Sequence, residues 1–363
     1  MTSFIYLPME RKTIVKIAVC FLLSIAFIVY LQQTSVGPNQ QKNHFIRIFP
    51  PHFMGMSKSY DLKNPDYYIV GLTAGSIFLG NYTDPEHLLI VHLNLLDTEN
   101  FKMPIPDSVK VIPSVLHWSM DNSNLYLDNY ALGSVYKFPL SNPKDQPSSL
   151  LLPEISNSVF LPFPGRTFAI RTFDKNLQEN ILAKISVNSP LTRKYSHILQ
   201  KQEEGIFSTD GMLRFNADAA RFVYTYFYRN QFICLDTDFN IQYRAQTLDT
   251  NTVAKIRVVR VVAERTATIA SPGFRVTRAA CINRDWILIN SDLLADNEEK
   301  NMFTRYAVID MYGIKNGHYH FSFYLPKGAG KITDMAMMGN SIITIQDHTL
   351  FYYRLNIDGI KER

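Results

Sequence analysis

Between Tyr67 and Ile345 the chain repeats one short unit: an apolar strand, a tight polar turn, then a second apolar strand. It first reads Tyr67–Leu72, turn Ala74-Gly75, Ser76–Leu79, and next Val115–Ser119, turn Asp121-Asn122-Ser123, Leu125–Leu127. The third and fourth copies are Ser158–Pro162, turn Pro164-Gly165, Thr167–Ile170, and Leu213–Asn216, turn at Asp218, Arg221–Tyr224. The last two are Thr277–Ile282, turn Asn283-Arg284-Asp285, Trp286–Ile289, and Ile332–Met337, turn Gly339-Asn340, Ile342–Ile345. A period of about 44 to 66 residues built from strands signals a repeat architecture.

A third strand follows each unit: Leu88–Leu95, Ser134–Leu140, Asn180–Val187, Gln231–Asp236, Arg305–Met311 and Leu350–Leu355. A fourth follows the first five: Asn100–Ile105, Ser148–Leu152, Tyr195–Gln200, Ile241–Leu248 and His318–Leu325. The sixth unit has no such strand after it, but Phe45-Ile46-Arg47-Ile48-Phe49, near the other end, matches one. Four-stranded units arranged about an axis make a β-propeller, and joining the chain's two ends in one blade leaves no frayed edge. The predicted fold is therefore all-β, a six-bladed propeller whose last blade is closed by Phe45–Phe49. A large β-sandwich or a two-domain β protein is the competing arrangement. The stretch Asn251–Ser271 is extra in this scheme and reads as an added β-hairpin on blade four or five.

Ahead of the repeat lies a different kind of segment. Arg11, Lys12 and Lys16 introduce an apolar run, and Thr13–Leu31 at about 1.5 Å per residue spans roughly 28 Å, close to one hydrocarbon core. No amphipathic stripe interrupts it, which points to a membrane-spanning helix and away from a buried one. The basic flank predicts that residues 1–12 are cytoplasmic and that the large domain lies on the far side. Cleavage requires small residues just beyond the apolar core. Ser24-Ile25-Ala26 falls inside it, and Ser35-Val36-Gly37 would leave Pro38 after the cut, so a retained anchor is expected. Val19 before Cys20, with the apolar run continuing beyond, does not fit a lipoprotein signal. The organisation is thus anchor 13–31, linker 32–43 and propeller 44–363.

The stretches Tyr243–Thr250, His320–Leu325 and Lys331-Ile332-Thr333-Asp334 resemble membrane- or lipid-anchored TolB-like six-bladed propeller proteins of Bacteroidota. That resemblance implies a Gram-negative cell, its inner membrane, and a domain facing the periplasm. It implies no reaction, and this chain lacks the cysteine signal of the lipoprotein members.

Standard catalytic motifs do not stand out. The sequence has no HExxH, CxxC, GxSxG or complete phosphate-binding glycine loop; Gly328-Ala329-Gly330-Lys331 reads as a turn between blades. His318 and His320 share a strand face, as two metal ligands would, but belong to the outermost strand of blade five, away from the axis. No metal or cofactor is expected. The net charge of +5 is diffuse, without the basic runs of nucleic-acid binders, so no nucleic-acid partner is expected. Of three cysteines, Cys20 is in the anchor, and Cys234 and Cys281 occupy non-equivalent repeat positions, as two buried thiols would. Aromatic residues make up 13% of the chain, with 20 Tyr against 2 Trp, and are assigned mainly to packing between blades.

Propellers commonly function through the face bearing their second-to-third loops and blade-to-blade connections. Here those loops are expected to carry Asn81, Asp84, Asp128, Asn129, Tyr130, Arg171, Asp174, Tyr228, Arg229, Asn290, Asp292, Asp347 and His348. Asn129, Arg171, Arg229, Asn290, Asp347 and His348 are the candidate binding residues, because arginines among amides and aromatics suit an anionic or sugar-like ligand. No catalytic residue is assigned. The sequence therefore supports a membrane-tethered periplasmic propeller that binds a protein or envelope component without catalysis. The alternative is a metal-dependent funnel hydrolase or lyase, which needs carboxylates from several blades to converge on one ion.

Overall fold

In the strand Asn124–Asn129, Leu125 and Leu127 pack toward one neighbouring sheet while Tyr126 packs toward the other. Successive side chains of a strand leave on opposite faces, so a strand apolar at consecutive positions must be covered on both. Stacking blades about an axis provides that cover. The computed structural model describes residues 11–34, 41–51, 53–106, 112, 115–129, 134–151, 157–164, 167–187, 192–202, 206–256, 258–261, 266–269, 274–328 and 330–357. The chain divides into two units, Met1–Gln41 and Lys42–Arg363.

The first unit contains helix α1 (Arg11–Thr34). Its Lys12–Tyr30 stretch, 19 residues with a mean hydropathy of 2.4, is long and apolar enough to cross a membrane.

The second unit is a six-bladed β-propeller of four-stranded antiparallel blades. Blade one is β2 (Tyr67–Leu72), β3 (Ser76–Asn81), β4 (His87–His92) and β5 (Thr98–Lys102). Blade two is β6 (Leu116–Met120), β7 (Asn124–Asn129), β8 (Ser134–Pro139) and β9 (Ser148–Leu151). Blade three is β10 (Asn157–Phe163), β11 (Thr167–Asp174), β12 (Glu179–Ser186) and β13 (Thr192–Tyr195). Blade four is β14 (Gly211–Asn216), β15 (Arg221–Tyr226), β16 (Gln231–Leu235) and β17 (Ile241–Gln246). Blade five is β20 (Thr277–Ile282), β21 (Trp286–Ser291), β22 (Tyr306–Gly313) and β23 (Tyr319–Pro326), with the short helix α2 (Lys300–Arg305) before β22. Blade six orders β1 (Met54–Asp61) outside β26 (Thr349–Leu355), β25 (Ser341–Gln346) and β24 (Ile332–Met338).

The first strands of the blades, β2, β6, β10, β14, β20 and β24, touch in that cyclic order and surround the axis. One hydrophobic cluster lies across each neighbouring pair of blades, including the closing pair, where Ile77 and Leu79 of blade one meet Ile343 and Ile345 of blade six. Large rings fill these wedges: Trp118 with Phe138 between blades one and two, and Phe163 with Phe222 between three and four. The extra segment forms a separate hairpin, β18 (Val258–Val261) with β19 (Thr266–Ile269), between blades four and five in the chain. Cys234 and Cys281 are free and buried.

One expectation is corrected. The strand that closes blade six is β1, with Ser59 opposite Phe351 and Asp61 opposite Thr349, and not Phe45–Phe49. That earlier segment instead runs along the outside of blade five, where the Ser322 amide donates to the Ile48 carbonyl at 2.7 Å. Its alternation is real, with Phe45 and Arg47 buried and Ile46 and Ile48 exposed. Arg47 is the anchor. Its Nε and Nη2 donate to the two oxygens of Asp310 at 2.7 and 3.1 Å, and its Nη1 donates to the Leu293 carbonyl and to Glu298. Burial alone would push this guanidinium's pKa down, but Asp310 and Glu298 outweigh it and hold it well above the usual arginine range.

Candidate functional site

Polar residues on the apolar first strands meet near the axis. Arg214 on β14 donates from Nε to the Ala280 carbonyl of β20 at 2.9 Å, and from Nη2 to Asp334 Oδ1 of β24 at 2.8 Å. The other oxygen of Asp334 accepts from the Ile69 amide of β2 at 3.0 Å. One connected set of bonds thereby ties blades four, five, six and one together, with both side chains partly accessible to water. On β6, the His117 ring stacks on Tyr68 with centroids 4.3 Å apart, and Tyr82 lies 4.4 Å from Tyr68 on its own blade. Burial lowers the His117 pKa to about 4, helped by the nearby Arg214 charge, so this imidazole is neutral at physiological pH. Sequence reasoning missed all three groups. Their signal was a charged or imidazole side chain inside a first strand, at His117, Arg214 and Asp334.

The face bearing the second-to-third turns and the blade-to-blade connections holds the residues expected from sequence. Asn129 ends β7, Arg171 lies within β11, and Asn290 lies within β21, so these three are buried strand residues and not loop residues. Arg171 Nη1 pairs with Asp210 and donates to the Gly211 carbonyl at 2.8 Å and the Tyr224 hydroxyl at 3.3 Å. Asn290 donates to the Val308 carbonyl at 2.9 Å. Asp347 occupies the turn between β25 and β26 with a φ of 54°, the left-handed conformation that Asp tolerates better than most residues. His348 Nδ1 lies 3.0 Å from Asp61 Oδ1, and the His348 carbonyl accepts from the Leu62 amide at 2.8 Å. His348 therefore clasps the end of the closing strand. Tyr130 lies outside the described residues.

The carboxylates of this face are also committed. Asp174 accepts from the Asn176 and Leu177 amides and from Lys194, and these bonds hold its pKa below the usual range. Asp292 pairs with Arg278 and Lys331 at 3.0 Å each. Asn81 Oδ1 accepts from the Thr83 and Asp84 amides and so closes its turn. Turn-capping of this kind is the ordinary work of Asn and Asp. Among the described residues, no three His, Cys, Asp or Glu are grouped to hold a metal ion.

Exposed apolar side chains are distributed unevenly. Tyr82, Ile112, Leu177 and Val253 are exposed on the face just described; in the propeller loops of the opposite face, Leu96 is the exposed large apolar residue among the described residues. Arg229, in the turn between β15 and β16, is different from the other candidates. Its guanidinium lies 3.7 Å over the Tyr226 ring and lines a cavity of about 450 Å³.

No protein-family model matches the chain, and no curated protein matches it in sequence. Solved structures do match in fold. A streptogramin B lyase superposes with a TM-score of 0.48 at 8% identity, covering 83% of this chain and 98% of its own. A virginiamycin B lyase from Staphylococcus aureus gives 0.48 at 9% identity, covering 83% and 99%. A chain of a mitotic checkpoint complex gives 0.44 at 12% identity, covering 88% and 97%. Likenesses at this level extend to a lyase and a checkpoint complex alike, and they carry no function to this chain.

Proposed function

We propose that this protein is a membrane-tethered, non-catalytic binding module, which presents one propeller face to a protein or envelope component. In this reading α1 is retained as a single-pass anchor in a bacterial inner membrane and the propeller faces the periplasm, as in the TolB-like proteins it resembles. The observation that carries the proposal is the division of labour on that face. Its described carboxylates Asp174 and Asp292 are engaged in turns and ion pairs, while apolar side chains from blades one, three and four stand exposed. Exposed apolar groups rimmed by polar ones are the surface signature of a partner site.

The test places a photo-crosslinking amino acid singly at Leu177, at Val253 or at Leu96 in the full-length membrane protein. A partner captured from Leu177 and Val253 but not from Leu96 supports the reading. Equal capture from all three positions, or from none, sinks it.

A further inference from the structure

Arg229 is almost fully buried, at 2% exposure, yet its Nε and Nη2 have no hydrogen-bond partner among the described residues. These two nitrogens form one edge of the guanidinium. It is the same edge with which Arg47 takes both oxygens of Asp310 elsewhere in this propeller. The Tyr226 ring covers one face of the Arg229 group, and the planar geometry then directs its N–H groups outward from the edges. Tyr226 is itself fixed, since its hydroxyl accepts from the Gln200 amide at 3.0 Å.

Among the described residues, the cavity that Arg229 lines contains no carboxylate. Its other walls are Lys201 and the neutral side chains of Gln200, Gln202, Asn230, Gln231, Gln246 and Thr252. Arg244 adds positive charge nearby; its Nη2 donates to the Ile198 carbonyl at 2.8 Å while its Nη1 is buried without a hydrogen-bond partner among the described residues. Burial lowers the Arg229 pKa, and Arg244 contributes to that lowering. A buried cation with an unused pair of donors is costly, and an oxyanion is the group that offsets both charge and donors at once. Water can meet the donors one at a time but leaves the charge uncompensated.

We propose that this cavity on blade four is a binding site for a small hydroxylated oxyanion, with Arg229 as a side-on fork for its carboxylate or phosphate group and the Gln200, Gln231 and Gln246 side chains as partners for its hydroxyls. The volume suits a ligand of sugar-acid size. Both nitrogens are closed off from bulk water, so the ligand reaches them only when the side chains around them shift. This goes beyond the partner face, and either proposal stands if the other fails.

The experiment is isothermal titration of the full-length protein in detergent with glucuronate, glucose 6-phosphate and glucose, each at millimolar concentration. At least one anionic probe is expected to bind and glucose is not; the stronger of the two anions identifies the preferred group. Arg229→Lys keeps the charge and loses the fork, and should weaken binding at least ~tenfold. Gln246→Glu, at an exposed position, should weaken it similarly by placing a carboxylate in the cavity without disturbing the core. Binding of glucose as tight as that of the anions overturns the proposal, as does unchanged affinity in both variants. So does failure of both anions to bind. Glu203 and Glu204 follow Gln202 in sequence. Binding gained only in a Glu203→Gln/Glu204→Gln chain would assign the fork to the protein's own carboxylate, which also overturns a small-ligand site.

Discussion

At the scale of single residues, the axis gives the sharpest expectations. His117 has a folded pKa of about 4 against an ordinary 6.5, because burial and Arg214 both disfavour its charged form. Below pH 6.5 the unfolded chain takes up a proton at this position before the folded one does. Stability from His117 is therefore complete above pH 6.5 and is lost as the pH falls toward 4, by about 3 kcal/mol at most. Urea unfolding of the wild type and His117→Gln across this range should show a shallower pH dependence in the variant; parallel curves would contradict a neutral imidazole in the folded protein. Asp334 makes a second case. Asp334→Ala removes the acceptor for both Arg214 and the Ile69 amide and should cost about 1–3 kcal/mol, whereas Asp334→Asn keeps one acceptor oxygen and should cost less. The same denaturation midpoints check it, with equal losses in the two variants counting against the network. These residues were visible in the sequence as polar positions on first strands. Their meeting was not, because Arg214 and Asp334 are separated by 120 positions and only ring closure brings them together.

At the scale of elements, the blades were legible because each inner strand is covered on both faces and so carries a dense apolar pattern. The closing strand was not. β1 lies outermost in blade six, reads MGMSKSYD, and needs little apolar cover, so its sequence resembles a linker. Phe45–Phe49 looked more like a strand because it too packs on one side, but the partner it finds is blade five. The two segments should respond differently to mutation. Arg47→Ala leaves Asp310 and Glu298 buried without their counter-charge and is expected to cost about 3–5 kcal/mol, while Lys58→Ala, at a partly exposed position on the edge strand β1, should change stability by about 0.5 kcal/mol or less. Thermal or urea unfolding decides between them. If Arg47→Ala is as mild as Lys58→Ala, the segment before β1 is not the clamp described here.

For the whole molecule, the decisive property is which side of a membrane the propeller occupies. The Lys12–Tyr30 stretch can span a hydrocarbon core, and the positive residues Arg11, Lys12 and Lys16 cluster at its N-terminal end. Lys and Arg next to a first apolar helix are retained on the cytoplasmic side, which would send Lys42–Arg363 across. Fold alone cannot decide this, since propeller surfaces of one architecture serve unrelated tasks in any compartment. A bacterial alkaline phosphatase joined after Arg363, active only outside the cytoplasm, should be active, and the fusion should keep its full mass and fractionate with membranes. Reversing the flank with Arg11→Glu, Lys12→Glu and Lys16→Glu should lower that activity, because the charge difference that orients the helix is then inverted. An inactive fusion would place the propeller in the cytoplasm. An active but shortened and soluble one would make α1 a cleaved leader, and the exposed face would then meet its partner free of the membrane.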